Sequence, residues 1–280
     1  LPRVSEALMD EAFRILDDGR VFFDYGPASM VVTARRGDEM LCDLAAAAFP
    51  FLRDSLAEIA EALPILRQFP VGMDYSDLTG LPRVMAEAVL ATGEPTLTPM
   101  AAVAGTVADA VADWIFARGA DLVAVNNGGD VAVRLGEGRS LRMGILPDLN
   151  GSVTEVVEIR GGDGIGGVCT SGLGGRSLTR GIAGGVTVFS RRCAAADACA
   201  THLANCSYVE SPRVHTCLAG DIEPESDIAS LRIVTAVEPL LPEEKKRGLA
   251  QVREEAERQR KNGNLVRVYA DIQGERLTLG

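Results

Sequence analysis

The sequence predicts an α+β fold, in which mixed or antiparallel sheets are flanked by helices. Short runs of β-branched residues alternate with turn residues along much of the chain. Helical patterns lie between these runs, but without the regular spacing that parallel βαβ units require. The chain has 280 residues, of which 47% are hydrophobic, and this is enough for one large core. We therefore expect a single domain over residues 1–280, made of two interwoven halves that divide near residue 100.

The first hundred residues predict helices on either side of a β-hairpin. Gly26 and Pro27 form the turn between the two apolar runs of that hairpin. Pro50 and Pro64 are expected to divide the longest helical pattern, because proline removes a helical hydrogen bond. The segments predicted here are a helix at 1–20, strands in 21–27 and 29–34, and helices at 39–68 and 81–92.

The rest of the chain predicts a core helix at 101–118 followed mainly by strands. Val103, Val107 and Val111 recur at helical spacing within that helix. Residues 161–185 contain eleven glycines and predict one or two short strands joined by loops. The other predicted segments are strands at 121–125, 131–135, 141–146, 153–160, 186–190 and 230–237, helices at 193–206 and 242–262, and a closing hairpin at 265–272 and 275–279.

Charge and composition exclude several classes of partner. The net charge of −11 argues against a nucleic-acid surface, which needs a basic stripe, and against an anionic membrane surface. No run of 18 apolar residues is present, so no transmembrane span is predicted. The six cysteines form no CxxC pair, and their Ala-rich surroundings favour buried, reduced thiols. Since the first residues show no signal-peptide pattern either, we expect a cytoplasmic protein.

A polar turn at 126–130 lies between two β-branched runs. It contains Asn126, Asn127, Gly128, Gly129 and Asp130. A hairpin needs only one Asn-Gly pair, whereas here an extra glycine and a carboxylate bring bare backbone and negative charge together. Two interpretations stay open, a site where a polar ligand lies against the main chain and a decorated hairpin.

A second constellation is the pair Asp197 and Thr201 within an Ala-rich helical stretch. The two residues lie one helical turn apart, so they share one face of the helix. Their oxygens suit a hard cation such as Mg²⁺, which takes few protein ligands and keeps water or phosphate as the others. The structural alternative is an Asp near the helix N-terminus, favoured by the helix dipole, beside a packed Thr.

The Gly-rich loop that begins with Thr170, Ser171 and Gly172 and reaches Arg176 resembles a phosphate cradle in its composition. It offers unhindered N–H groups, small hydroxyls and a cation. It matches neither a Walker motif nor a Rossmann fingerprint, and a tight turn at a sheet edge is the alternative. No Gly-x-Ser-x-Gly nucleophile elbow is present. His202 follows the Asp197 and Thr201 pair, so a place near the site stays open, but the intermediate burial tendency of histidine favours a structural role.

Four segments, taken in order, resemble motifs of the ApbE-like superfamily, the FAD:protein FMN transferases. That family has Ala-Lys-Gly-x-x-x-Asp on a helix, an Asn-x-Gly-Gly-Asp turn, a Thr-Ser-Gly loop and a helix with Ala-Asp-Ala-x-x-Thr. The matching segments here are 103–109, 126–130, 170–172 and 196–201. The resemblance covers residues 20–210 and implies an ApbE-like (T-fold-like) architecture.

The resemblance also implies a ligand set and a reaction. Asp197, Thr201 and the backbone carbonyl of Val103 would bind Mg²⁺. The implied reaction moves FMN from FAD to a Thr or Ser hydroxyl of an acceptor protein and releases AMP. The residues implied to bind the cofactor are Asn126, Asn127, Gly128, Gly129, Asp130, Thr170, Ser171 and Gly172.

Two departures from the family pattern leave two hypotheses. Ala104 replaces the family lysine, and residues 176–183 replace its His-x-Ile-Asp-Pro-x-Thr-Gly segment. The first hypothesis is an enzyme that transfers or hydrolyses a phosphate ester of an Mg²⁺-bound nucleotide, with Asp197, Arg176 and Arg180 as catalytic residues. The second is a non-catalytic binding module that retains a flavin or small-ligand pocket. A scaffold, or a thiol–metal site, is the remaining alternative.

The expected partner is a small-molecule nucleotide or flavin, with Mg²⁺ as cofactor and FAD as the candidate nucleotide. Neither a nucleic acid nor a membrane is expected. The apolar helix at 41–63 suits the core and a dimer interface equally well, so a homodimer is a candidate assembly.

Overall fold

The computed structural model describes residues 13–71, 74–146, 155–175 and 177–280. Its strands are β1 (Phe13–Ile15), β2 (Val21–Tyr25), β3 (Ala28–Arg36), β4 (Glu39–Met40), β5 (Leu122–Asn127), β6 (Asp130–Leu135), β7 (Ser140–Ile145), β8 (Glu155–Arg160), β9 (Gly167–Ser171), β10 (Gly185–Ser190), β11 (Val214–Leu218), β12 (Arg232–Val237), β13 (Arg267–Ile272) and β14 (Glu275–Leu279). Its helices are α1 (Cys42–Ala46), α2 (Phe49–Leu66), α3 (Gly80–Thr92), α4 (Val103–Phe116), α5 (Cys193–Cys206) and α6 (Pro242–Lys261), with short 3₁₀ turns at Pro99–Ala102 and Ala219–Asp221.

One sheet of ten strands organises the described chain. Its order is β1-β2-β3-β5-β6-β9-β10-β13-β14, with β4 paired to β3. Every neighbouring pair in this sheet is antiparallel. Strands β7 and β8, and strands β11 and β12, form two further antiparallel pairs. The α+β class with sheets flanked by helices is therefore confirmed.

Helices α4 and α5 pack side by side on the central strands of the sheet. Helix α4 contacts β5 and β6, and helix α5 contacts β9 and β10. Val107, Val111 and Ile115 lie on the buried face of α4. Fully burying an aliphatic side chain of this size contributes about 1.5–3 kcal/mol, so this interface is a main source of stability. It also brings the first turns of the two helices together.

By length and composition alone, one helical stretch of the described chain could span a membrane. It is Pro99–Phe116, with a mean hydropathy of 1.2, and 56% of it is buried. A core helix of a folded domain passes the same test, and α4 packs against strands β5 and β6. The stretch is therefore weak evidence for a membrane span.

Two details in the N-terminal part of the chain differ from the sequence prediction. Residues Phe13–Ile15 form an edge strand, so the helix predicted at 1–20 is wrong there, and residues 1–12 lie outside the described residues. Pro50 lies in the first turn of helix α2, where the helical pattern divides as expected, but Pro64 lies within the last turns of α2 and does not divide it. The buried side chains of α2 hold the helix on the core, and this packing outweighs the one hydrogen bond that proline removes.

Candidate functional site

Helices α4 and α5 cap each other's N-terminal turns. The Asp197 carboxylate on α5 accepts a hydrogen bond from the Gly105 N–H on α4, at 2.9 Å. In return, the Asp109 carboxylate on α4 accepts from the Ala194 N–H on α5, at 3.0 Å. Neither helix has a side-chain cap from its own N-cap residue. Since first-turn N–H groups lack partners within the helix, these two carboxylates fix the relative position of the helix ends.

The close approach of the two helices requires glycine at position 105. A Cβ atom there would lie 2.4 Å from the carbonyl oxygen of Cys193 and 2.9 Å from Cβ of Asp197. A side chain would therefore push α5 away and move Asp197 from the first turn of α4. This contact gives a physical reason for the glycine in the motif at 103–109.

A cleft of about 370 Å³ opens beside these helix ends. Five of the residues that the sequence marked line it together, namely Val103, Asp130, Arg180, Asp197 and Thr201. They come from the start of α4, the start of β6, the loop before β10, and two successive turns of α5. The fold thus brings the helix of Asp197 and Thr201 to the bend that ends in Asp130.

The rest of the turn at 126–130 does not line this cleft. Gly128 and Gly129 have positive φ angles of 67° and 118° and form the exposed tip of the β5–β6 hairpin. Asn126 is also exposed, and its side chain accepts from the Gly129 N–H at 2.9 Å. Asn127 is buried and donates to the Ala104 carbonyl at 3.2 Å. The turn therefore joins the hairpin to α4 through the Asn127 hydrogen bond, and Asp130 is its one residue that lines the cleft.

The Gly-rich loop after β9 makes internal hydrogen bonds. The N–H groups of Leu173 and Gly174 donate to the carbonyls of residues 183 and 184, at 2.9 and 2.8 Å. The hydroxyls of Thr170 and Thr187 are 2.8 Å apart across the sheet. Thr170, Ser171 and Gly172 do not line the cleft. These contacts favour the tight-turn alternative for this segment, and Arg176 lies outside the described residues.

The carboxylates of Asp130 and Asp197 both line the cleft, and the charge of one affects the pKa of the other. Burial raises the pKa of Asp130 to about 6, although the Cys169 thiol and the Thr170 N–H donate to it and act in the opposite direction. Burial, followed by the negative charge of Asp130, raises the pKa of Asp197 well above its ordinary value. Such a pair is costly when both groups are ionised, and a cation between them removes the cost.

The donor set of the cleft fits a hard divalent cation. Of its lining residues, Asp130, Asp197 and Thr201 have side chains whose only donor atoms are oxygens, which Mg²⁺ prefers, and Val103 lines the cleft beside them. No group of three or more His, Cys, Asp or Glu side chains with metal-site geometry occurs in the described part of the chain. The described residues therefore contain no cluster of side chains that would support the thiol–metal alternative. The oxygen site needs only two acidic side chains.

A family model described as "AbpE bacteria" matches residues 13–278. The chain belongs to this family. The match extends over nearly all the described residues and confirms the resemblance to ApbE-like proteins that the four sequence segments indicate.

Curated relatives of this AbpE-family chain include UPF0280 proteins from several archaea. A UPF0280 protein of Methanothrix thermoacetophila is 43% identical over 108 residues, which is 38% of this chain and 45% of that protein. A UPF0280 protein of Methanopyrus kandleri is 38% identical over 140 residues, 48% of this chain and 54% of that protein. One of Methanococcoides burtonii is 31% identical over 177 residues, 62% of this chain and 73% of that protein. The chain thus spans about half the length of the first two relatives.

Two solved structures have a similar chain trace. The apo form of the flavinyl transferase ApbE from Pseudomonas stutzeri is 14% identical, with a TM-score of 0.47 and 91% of each chain covered. The flavin transferase ApbE from Vibrio cholerae is also 14% identical, with a TM-score of 0.38, 66% of this chain covered and 85% of that one. Membership of the AbpE family rests on the family model, which matches residues 13–278.

Sequence reasoning missed several polar residues that line the cleft of this AbpE-family chain. These residues are Thr96, Thr98, Asn205, Glu223 and Asp227. The Thr98 hydroxyl donates to the Asp227 carboxylate and ties the segment before α4 to the loop after β11. Most of these residues lie in irregular segments, where no periodicity marks a functional side chain. The acidic composition of residues 221–227 was the one local signal available.

His202 does not line the cleft but anchors a buried polar cluster behind it. Its Nε2 atom lies 2.7 Å from Oε1 of Glu255 on α6. Burial opposes ionisation of Glu255, but hydrogen bonds from Arg258, Gln259 and His202 outweigh it and lower its pKa to about 2. His202 is thus the structural histidine that the sequence predicts.

Glu255→Gln is expected to lower the free energy of unfolding at neutral pH by roughly 2 kcal/mol, the scale for a carboxylate with a comparable pKa shift. The folded pKa of about 2 lies below the ordinary value of 4.5, so the ionised form stabilises the fold. This contribution is complete above pH 4.5 and is lost as the pH falls toward 2. Urea unfolding of both proteins between pH 3 and pH 7 measures it. A difference that does not shrink at low pH would contradict the assignment.

Proposed function

We propose that the cleft binds a flavin nucleotide, FAD, together with Mg²⁺, and that the protein transfers the FMN portion to a hydroxyl group. One observation carries the proposal. Asp197 and Thr201, which the family resemblance marks as metal ligands, share one cleft with Val103 and Asp130. Membership of the AbpE family supports the same class of ligand.

Asp197, Thr201 and the Val103 carbonyl would hold Mg²⁺, and Asp130 would add a fourth oxygen donor. When bound, the ion supplies charge neutralisation for the diphosphate and orients its phosphorus atoms. The raised pKa values of Asp130 and Asp197 support this assignment, because two half-buried carboxylates without a cation repel each other. The assignment also explains how a chain with a net charge of −11 binds an anion.

Arg180 is the cation that the described lining residues offer to a phosphate group. Its planar guanidinium can form two parallel hydrogen bonds with phosphate oxygens. We propose that it takes over the charge of the family lysine, which Ala104 replaces. The same role for Arg176 stays a prediction from the sequence.

The proposed transfer exchanges one phosphorus–oxygen bond for another. The acceptor hydroxyl oxygen bonds to the phosphorus of the FMN phosphate, and the bond from that phosphorus to the oxygen of the AMP phosphate breaks. The hydroxyl proton passes to water, and AMP leaves. Arg180 stabilises the negative charge on the phosphate oxygens, and Asp197 keeps the first turn of α4 in place through the Gly105 N–H.

A second candidate is a binding module that retains the flavin site without transfer. The Gly-rich loop favours it, because the N–H groups of Leu173 and Gly174 already donate to carbonyls and cannot cradle a diphosphate. Under either proposal, the ligand is a small-molecule flavin nucleotide and the protein is cytoplasmic. We also propose that the protein assembles as a homodimer through the apolar helical stretch at 41–63.

We expect the protein to release AMP from FAD when MgCl₂ is present and to stop when EDTA is added. Chromatography of the nucleotides measures the release, and quenching of flavin fluorescence measures binding in the same samples. Water serves as the acceptor when no protein acceptor is supplied. Binding of FAD without release of AMP supports the module. No binding of FAD at millimolar concentrations of nucleotide and MgCl₂ overturns both candidates.

A further inference from the structure

Hydrogen bonds link Arg180 in the cleft through Thr96 to Glu94, which lies beside the polar cluster behind α5. The Arg180 guanidinium donates from Nη1 to the Thr96 hydroxyl oxygen, at 2.5 Å. Its backbone N–H donates to Oδ1 of Asn205, at 2.9 Å. Both partners are neutral, so these contacts orient the side chain while its positive charge stays available to an incoming anion.

The direction of each hydrogen bond at Thr96 is fixed. The Thr96 hydroxyl donates to Oε1 of Glu94. The Thr96 backbone N–H donates to the same oxygen, at 3.0 Å. A guanidinium has no acceptor, so the Thr96 oxygen can only accept from Arg180. With its own hydrogen committed to Glu94, the hydroxyl presents its lone pairs to Arg180 in one orientation.

Glu94 in turn lies beside a histidine in the interior of the protein. Its Oε2 atom lies 3.7 Å from Nδ1 of His202, whose side chain is only 5% exposed. His202 is fixed on its other side by Glu255, at 2.7 Å. The Glu94 end of the tether therefore lies next to the packed interior of the protein. Such support from behind is what keeps a binding group at one position.

The tether matters because the cleft is acidic. Four carboxylates, from Asp130, Asp197, Glu223 and Asp227, line it along with Arg180. A free arginine side chain in such a cleft would collapse onto one of them and neutralise it. A guanidinium held by Thr96 uses one of its five N–H donors for the tether and can present others to a ligand.

We propose that Thr96 and Glu94 are positioning residues, which aim Arg180 at an anionic phosphate group bound in the cleft. The inference rests on the proposed function, since it names the residues that orient the anion-binding group of that same site. Neither residue belongs to the segments that resemble the family motifs.

Inorganic pyrophosphate with MgCl₂ is the probe, and calorimetric titration of the full chain measures its affinity. Thr96→Val is expected to weaken binding about tenfold, the scale for a hydrogen bond to a charged group. Thr96→Ser keeps the hydroxyl and should bind within about twofold of the unchanged protein. Thr33→Val on β3 is the matched control outside the cleft, and thermal melts check that every variant folds. If Thr96→Val does not fold, Glu94→Ala is used instead, because it removes the carboxylate that accepts from the Thr96 hydroxyl.

A double-mutant cycle separates positioning from a general structural effect. In an Arg180→Gln background, Thr96→Val should cause no further loss of affinity, because the group that it orients is gone. Equal losses in both backgrounds, or no loss in the single variant, would overturn the inference.

FAD binding is measured in parallel. If pyrophosphate binds with the expected coupling and FAD does not bind, the proposed function fails and the positioning role stands. If FAD binds and Thr96→Val has no effect on the affinity for either ligand, the positioning role fails and the proposed function stands. If neither ligand binds the unchanged protein, both proposals fail.

Discussion

Asp197→Asn is expected to abolish Mg²⁺-dependent ligand binding and AMP release while the protein stays folded. The asparagine oxygen can still accept the Gly105 N–H, now 2.9 Å from the carboxylate, so the cap between the two helices is preserved. The change removes only the negative charge that the proposed cation needs. Because altering even an indirect metal partner typically costs 10–100-fold in metal affinity, we expect a loss of about 100-fold or more.

The same variant should be more stable than the unchanged protein when no divalent cation is present. The pKa of Asp197 is raised, so the folded state favours its neutral form and ionisation at pH 7 costs stability. We therefore expect a gain in the free energy of unfolding, because the carboxamide stays neutral at pH 7. Thermal melts with and without MgCl₂ test both effects together.

Asp24→Asn provides the matched control, since Asp24 is an exposed aspartate on β2. It should leave the melting temperature and its response to MgCl₂ unchanged. An Asp197→Asn protein that still gains stability from MgCl₂, or that still releases AMP, would remove Asp197 from the proposed ligand set.

Local patterns predicted the parts of the site that lie on regular elements. The spacing of Asp197 and Thr201 requires only that the segment be helical, and Cys193–Cys206 is a helix. The β-branched runs around the turn at 126–130 predicted strands β5 and β6 for a similarly local reason. That the two elements meet in one cleft depends on tertiary packing and came from the family resemblance.

Contacts made by loops could not be predicted from the sequence. Thr96 has no distinguishing neighbour in the chain, and it is 84 residues from Arg180, which it contacts. The Gly-rich loop has the composition of a phosphate cradle, but only the structure shows that the N–H of Gly174 donates to Gly184. Strand Val214–Leu218 was missed because its side chains are mostly half-exposed and do not alternate between apolar and polar.

Arg134→Met is expected to lower the free energy of unfolding by about 3–5 kcal/mol, the cost of removing one partner of a buried ion pair. The Arg134 side chain is 13% exposed and lies 2.6 Å from the carboxylate of Asp109, which is 2% exposed. It also contacts Asp113, at 2.5 Å, and donates to the Gly166 carbonyl, at 2.9 Å. Methionine has a similar length but no donor, so the buried Asp109 would lose its best partner.

Arg192→Met is the matched control, because Arg192 contacts the same two aspartates from the surface. Its side chain is 49% exposed, and its distance to the Asp109 carboxylate is 3.3 Å. We expect it to cost no more than about 1 kcal/mol, as exposed ion pairs do. Urea unfolding at pH 7 compares the two variants. Equal losses would mean that burial does not decide the strength of this network.

Arg134→Met should also affect the proposed Mg²⁺ site in the cleft, because Asp109 caps the first turn of α5 through the Ala194 N–H. When Arg134 no longer holds Asp109, that cap loosens at the end of the helix that carries Asp197. Mg²⁺-dependent stabilisation should therefore weaken in Arg134→Met, although Arg134 does not line the cleft, and stay unchanged in Arg192→Met. A full MgCl₂ response in a destabilised Arg134→Met protein would show that the helix ends hold their positions without the Asp109 cap.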